Sequence, residues 1–231
     1  VLEYVEGADL GTLLSWLGKR GRVLPLPVAM AILRGLCLGL GALHRAVGGG
    51  GGLLGIVHRD VHPGNLLLGF DGAVKLADLG VVQLTVAGLE TVAGLKGTLA
   101  YMAPEQLLGQ PTDPRTDIYA AGLVAWELLT GVPARPQGML GVAELVDARS
   151  RLPPPPSEAH PGCPAALDAA VLWALQPDPQ ARPGSLDAWW DALVAGADAA
   201  PDPAALGELV LGTAAPFVRA QRTLAPPPAP G

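Results

Sequence analysis

The stretch HRDVHPGN, residues 58–65, decides how the rest of the chain is read. It gathers His58, Arg59, Asp60, His62 and Asn65 within a chain that is otherwise aliphatic, rich in Ala, Gly and Pro, and only 16% charged. Each of these side chains is costly to bury without a partner. Such a stretch is either a solvated loop or a set of groups held in place for chemistry.

The sequence on either side favours chemistry. Asp60 and Asn65 stand five residues apart with Pro63-Gly64 between them, which makes a turn. Two short strands with a turn at Phe70-Asp71-Gly72 then lead to Asp78, inside Asp78-Leu79-Gly80. A carboxylate and an amide on one turn, with a second carboxylate returning beside them on a hairpin, form a hard-oxygen site suited to Mg²⁺ and phosphates. Asp60 is then left to take or orient a hydroxyl proton.

Further out, VLEYV (1–5) reads as a strand running into a turn at Gly7, and Asp9 as the N-cap of a short helix over 10–17. A long helix is predicted over 27–47, with proline near its first turn. GGGGG (48–52) reads as a flexible loop inside an inert insertion, and GIVH (55–58) as a strand. The segment 79–102 follows neither period, and loops of that length are usually functional or mobile. DIYAAGLVAWELL (117–129) reads as a buried helix, with further helices predicted over 142–149, 165–174, 186–194 and 206–218. Trp173, Trp189 and Trp190 are expected in the core, whereas His44 and His160 read as surface residues.

With 231 residues, half of them hydrophobic, the chain can form a packed core. A net charge of −6 and the absence of a basic run argue against binding to nucleic acid or anionic membrane. Cys37 and Cys163 form no CxxC and read as buried thiols in a reducing compartment. The longest apolar stretch, 23–43, is cut by Pro25, Pro27 and Arg34, so no membrane segment is expected. The chain opens without Met, in mid-pattern, and ends in the linker-like run APPPAPG, so both ends read as cuts from a longer protein. A cytoplasmic location is expected, or the cytoplasmic part of a larger protein.

Taken in order, His58-Arg59-Asp60 with Asn65, Asp78-Leu79-Gly80 and Ala103-Pro104-Glu105 resemble the catalytic loop, metal element and APE motif of a protein kinase, of the bacterial serine/threonine type. The resemblance implies an α+β, mainly α fold: the kinase C-terminal lobe, with short β-hairpins at the cleft. Residues 1–197 would be hinge plus C-lobe, 198–223 a C-terminal helix and 224–231 a proline-rich linker. It implies ATP and Mg²⁺ as cofactors and a protein presenting Ser or Thr as substrate. Asp60 resembles the catalytic base, and Asn65 and Asp78 the metal ligands. Thr98 matches the threonine typical of Ser/Thr kinases. Arg59 resembles the arginine that pairs with a phosphorylated activation loop, in which Thr91 and Thr85 are candidate phosphosites. Glu105 should pair with Arg182, and Asp117 resembles the aspartate that holds the catalytic loop from below.

The opening residues resemble the inter-lobe hinge. Leu2 would be the gatekeeper, the Glu3 and Val5 backbone would meet the adenine edge, Asp9 the ribose, and Leu67 the adenine floor. Two departures stand out. His62 replaces the lysine that usually touches the γ-phosphate, and Leu79 replaces the phenylalanine of DFG as an apolar plug. No GxGxxG strand–turn–strand and no strand lysine occur, so the N-lobe is expected to be missing. A fragment without that roof is expected to be inactive and to self-associate through uncovered apolar residues. The competing reading is a partner-binding pseudokinase.

Overall fold

The computed structural model describes residues 4–79, 98–134 and 142–224, with backbone only at 98, 142–143 and 214–224. Leu2, Glu3, Thr85, Thr91 and the 225–231 linker therefore lie outside the described residues.

The order is β1 (Gly7–Asp9), α1 (Leu10–Gly18), α2 (Leu26–His44), β2 (Leu66–Gly69), β3 (Val74–Leu76), α3 (Pro104–Leu107), α4 (Pro114–Thr130), α5 (Val142–Arg149), α6 (Pro156–Ala159), α7 (Asp168–Ala174), α8 (Leu186–Ala197) and α9 (Pro203–Leu224). This is the mainly helical α+β architecture that the motif order implied.

Local chemistry explains most of the boundaries. Asp9 caps α1 by accepting from the Thr12 N–H at 2.8 Å. Asp113 accepts from the Arg115 N–H and Pro114 opens α4, which closes at Gly131 in the left-handed region. Ser185 caps α8 by accepting from Ala188 N–H. α4 is buried on every side from Thr116 to Thr130 and forms the axis of the core, packed against α2 and α7.

α2 starts one residue and ends three residues earlier than the pattern suggested. By length and composition alone it could cross a bilayer, which the reading of 23–43 as interrupted did not anticipate. Ala29, Met30, Ile32, Leu33 and Leu40 are fully buried against the rest of the fold, as in the core helix of a soluble protein.

The three strands form an antiparallel sheet in the order β1-β2-β3, with Asp9 opposite Leu67 and Leu67 opposite Lys75. Of the strand expected over 1–5, residues 1–3 lie outside the described residues, Tyr4 and Val5 are irregular, and the described pairing begins at Gly7. The reason is steric. A Cβ on Gly7 would lie 1.8 Å from the Leu68 carbonyl oxygen, so only glycine lets the backbones pair there. GIVH forms no strand either, because its last N–H is taken by a side chain, as described below. The glycine run closes into a small hairpin with a Val47–Leu53 bridge and a Gly48 N–H to Gly52 C=O bond of 2.9 Å.

α9 packs across α2, β1 and β2. Gly72, at φ +80°, would place a Cβ 2.0 Å from the Pro203 carbonyl, and a Cβ on Gly207 would lie 2.4 Å from that of Phe70. The helix therefore seats on the sheet backbone itself. Leu206 and Val210 are buried beneath it. Trp189 and Trp190 are in the core, but Trp173 is 37% exposed, since α7 turns that position outward.

Candidate active site

The catalytic-loop backbone is held by a buried carboxylate. Asp117, fully buried at the start of α4, accepts from the N–H groups of His58 and Arg59, each at 2.8 Å. His44 Nε2 adds a third contact to Asp117 at 2.7 Å, with its side chain only 10% exposed. His44 is thus a support of the site rather than a surface residue. The periodicity of α2 hides this, because the partner is supplied by a different helix.

His58 is buried. Its Nδ1 accepts from the Asp60 N–H, so Nε2 carries the proton and donates to the Ala77 carbonyl at 3.1 Å. The Ala77 N–H donates in turn to the Asn65 carbonyl at 2.8 Å. Two bonds therefore bring the residue before Asp78 against the loop that carries Asp60 and Asn65. Arg59 (φ +66°) and Asp78 (φ +53°) both occupy the left-handed region, rare for residues with a side chain and typical of sites whose surroundings impose the geometry.

The Asn65 side chain turns onto Asp60. Its Nδ2 donates to the Asp60 main-chain carbonyl at 2.9 Å and to Oδ2 at 3.0 Å. Oδ2 is thereby anchored, while Oδ1 is buried with no hydrogen-bond partner among the described residues. An orphaned carboxylate oxygen of this kind is suited to receive a proton. With Nδ2 committed, Asn65 keeps its Oδ1 as an oxygen donor, and Asp78 is exposed on the adjoining strand end.

His62 sits over Asp60. Its Nδ1 accepts from Gly64 N–H at 3.1 Å, and Nε2 stands 3.8 Å from Asp60 Oδ1, too far for a hydrogen bond. Burial holds the imidazole pKa below its usual 6.5, against the opposing pull of the Asp60, Asp9 and Asp78 carboxylates. The ring is neutral near pH 7. That three carboxylates act on one ring places Asp9, Asp60 and Asp78 around a common region. His62 also faces Tyr101, with ring centroids 6.2 Å apart.

Asp9 uses Oδ1 for the helix cap and Oδ2 for the Thr12 hydroxyl. Val5 and Leu67 are half-buried rather than laid open. Leu79 is 52% exposed. Arg59 Nε donates to Thr112 Oγ1 at 3.0 Å. Thr98 lies in a 3₁₀ turn, residues Thr98–Tyr101.

Below the loop, Glu105 and Arg182 form a bidentate pair at 2.7 and 2.8 Å. Two contacts had no signal in the motif order. The Gln106 side chain bridges the Ala103 N–H to the Arg59 carbonyl, and the Tyr101 hydroxyl donates to buried Glu127. Among the described residues no cluster of three or more His, Cys, Asp or Glu forms a closed metal cage. The donor set instead fits a hard cation bound by Asn65 and Asp78 together with a phosphate-bearing ligand.

Residues 1–191 match the family model described as the protein kinase domain. The chain belongs to the protein kinase family. This kinase chain is 38% identical over 200 residues to the serine/threonine-protein kinase Pkn1 of Myxococcus xanthus, covering 84% of this chain and 27% of that protein. It is 39% identical over 201 residues to the serine/threonine-protein kinase PknL of Mycobacterium tuberculosis, covering 86% and 45%. It is also 35% identical over 195 residues to the tyrosine-protein kinase MasK of Myxococcus xanthus, covering 83% and 30%. The solved kinase domain of PknI from Mycobacterium tuberculosis superposes with a TM-score of 0.61 at 29% identity, covering 83% of this chain and 62% of that one. The kinase chain therefore spans less than half the length of these curated relatives.

Proposed function

We propose that the protein bearing this chain transfers the ATP γ-phosphate to Ser or Thr hydroxyls of proteins, and that residues 1–197 are its hinge and C-lobe. The observation that carries the reading is the Asn65–Asp60 bond, which ties up one carboxylate oxygen and leaves the other buried and without a hydrogen-bond partner among the described residues. In this reading an acceptor hydroxyl would give its proton to Asp60 Oδ1 as its oxygen bonds to the γ-phosphorus and the bond from that phosphorus to the β-phosphate oxygen breaks, releasing ADP. Asn65 Oδ1 and Asp78 would hold Mg²⁺, which would supply neutralisation of charge on the phosphate oxygens. Val5 backbone, Leu67 and Asp9 line the nucleotide side, with Leu2 and Glu3 preceding them. Thr98 supports a Ser/Thr acceptor. Arg59 lies ready to pair with a phosphate on the 80–97 segment, Thr91 being the favoured position.

The test is radiolabelled ATP with an acceptor protein. In the protein as the cell makes it, Asp60→Asn should lower transfer about 10²–10⁴-fold. An unchanged rate would refute the assignment, and phosphotyrosine in place of phosphoserine or phosphothreonine would refute the acceptor class. Residues 1–231 alone are inferred to transfer negligibly and to self-associate. Asp60-dependent turnover by a monodisperse monomer would overturn both.

The pseudokinase reading is favoured by His62, a residue with less positive charge than lysine, its pKa lowered further by burial, where a lysine charge would meet phosphate. If that charge is what limits the rate, His62→Lys raises transfer about tenfold, or 1.4 kcal/mol in the barrier.

A further inference from the structure

α9 lies beyond residues 1–191, the part of the chain that matches the kinase family model. It is nonetheless built into the main core. Leu206 and Val210 are fully buried in the cluster that also holds Leu66 and Leu68 of β2, and Thr213 is buried on the same helix face. Asp202 caps the helix by accepting from the Ala205 N–H at 2.9 Å. Its own N–H donates to the Pro27 carbonyl, in the first turn of α2, at 3.0 Å.

The tightest approach is backbone to backbone. A Cβ on Gly207 would lie 2.4 Å from the Phe70 carbonyl oxygen and 3.1 Å from the Gly72 nitrogen. The N–H of the same Phe70 donates to the Glu6 carbonyl at 2.9 Å. Phe70 therefore links α9 to the residue just before β1. β1 pairs with β2 so that Asp9 stands opposite Leu67. Side chains alternate along a strand, so with Leu66 and Leu68 turned into the core, Leu67 and Asp9 share the opposite face. We propose that α9 is a positioning element for the nucleotide: seated on Phe70, it fixes the placement of β1 and so where Asp9 and Leu67 meet the ligand. The inference rests on the kinase reading for that ligand, but not for the seat or for its link to Glu6.

Two physical facts set the expectations. A contact between backbones has no side chain that can swing aside, so an added Cβ must shift either the helix or the turn beneath it. Alanine is at the same time a better helix former than glycine. Gly207→Ala therefore favours α9 as a helix while displacing it from its seat, which separates the two effects.

The test is Gly207→Ala in the native protein, with Leu211→Ala, 50% exposed on the same helix, as its control. Amide hydrogen exchange at Phe70 and at 7–9 should rise about tenfold in Gly207→Ala, with α4 unchanged. In the radiolabelled-ATP assay, KM for ATP should rise about fivefold while kcat stays within about twofold. Leu211→Ala should match wild type in both readouts. Wild-type exchange at Phe70 in Gly207→Ala overturns the link to Glu6. Raised exchange there with an unchanged KM for ATP, a fall in kcat alone, or the same changes in Leu211→Ala overturn the positioning role. If Gly207→Ala exposes α4 as well, Asp202→Ala decides, since it removes the cap without adding bulk: raised exchange at Phe70 with α4 protected supports the link, and wild-type exchange there refutes it. A wild-type protein without phosphotransfer refutes the kinase reading, and the exchange arm still decides whether α9 holds Phe70 on Glu6.

Discussion

Replacing Glu105 by Ala removes the partner of a cation that cannot lose its proton. The side chains of Glu105 and Arg182 are 4% and 0% exposed, and two N–H groups of the guanidinium lie 2.7 and 2.8 Å from the carboxylate. Breaking a buried pair from one side costs about 3–5 kcal/mol, because the remaining charge stays buried. Here the low end applies. Arg182 keeps its bonds to the carbonyls of Gln176, Pro177 and Arg115, and its guanidinium lies 4.7 Å from the Tyr119 ring centroid. The Thr116 hydroxyl, which donates to Glu105 at 2.8 Å, is stranded as well. A loss of about 3 kcal/mol lowers the thermal midpoint by about 6–12 °C for a chain of this size. Urea and thermal unfolding followed by circular dichroism measure it. The loss should persist from low to high salt, since buried charges are poorly screened. The double variant Glu105→Leu/Arg182→Met should lose less than the sum of its single variants, because neither charge is then stranded. A loss under about 1 kcal/mol, the value of an exposed pair, or strict additivity in the double variant, would refute the reasoning.

Two further outcomes follow from the geometry. Burial raises the Glu127 pKa above its usual 4.5, with the Tyr101 hydroxyl opposing part of the rise. The folded state therefore holds this proton more tightly than the unfolded one, and that contribution is lost as pH rises through the folded pKa. Glu127→Gln should accordingly gain stability over wild type near pH 7, with the gap closing toward pH 4 in urea titrations; a gap that widens on acidification contradicts it. Gly72→Ala forces a Cβ to within 2.0 Å of the Pro203 carbonyl at φ +80°. It should cost about 1–3 kcal/mol from backbone strain alone and release α9 to early proteolysis. Wild-type protection of residues 203–213 would show that the helix does not depend on that seat.

The elements most legible in the sequence are those whose signals are local. The apolar run 117–129 reads as a buried helix, and α4 is one, reaching from Pro114 to Thr130. The helix read over 186–194 is α8, which runs on to Ala197, and the 142–149 helix has the bounds its pattern suggested. Strands were less legible. Tyr4 and Val5 have strand composition but are irregular, and the described pairing starts at Gly7, where Leu68 approaches too closely for a Cβ. GIVH likewise has strand composition, but the Asp117 carboxylate takes the His58 N–H in place of a neighbouring strand.

The sequence by itself determined which chemical groups are available and in what order: Asp60 and Asn65 flanking a proline-glycine turn, Asp78 one hairpin later, Glu105 and Arg182 far apart. Spacing along the chain and capping residues act over a few residues, and such signals survive without tertiary context. Only the tertiary structure decided what those groups experience. It set His44 and two backbone N–H groups on one carboxylate, left Asp60 Oδ1 buried without a hydrogen-bond partner among the described residues, lowered the His62 pKa by burial, and bound Arg149 to the carbonyls of Leu99 and Met102. Burial and hydrogen bonding between residues dozens of positions apart depend on which surfaces the packed helices bring together, and no local pattern carries that information.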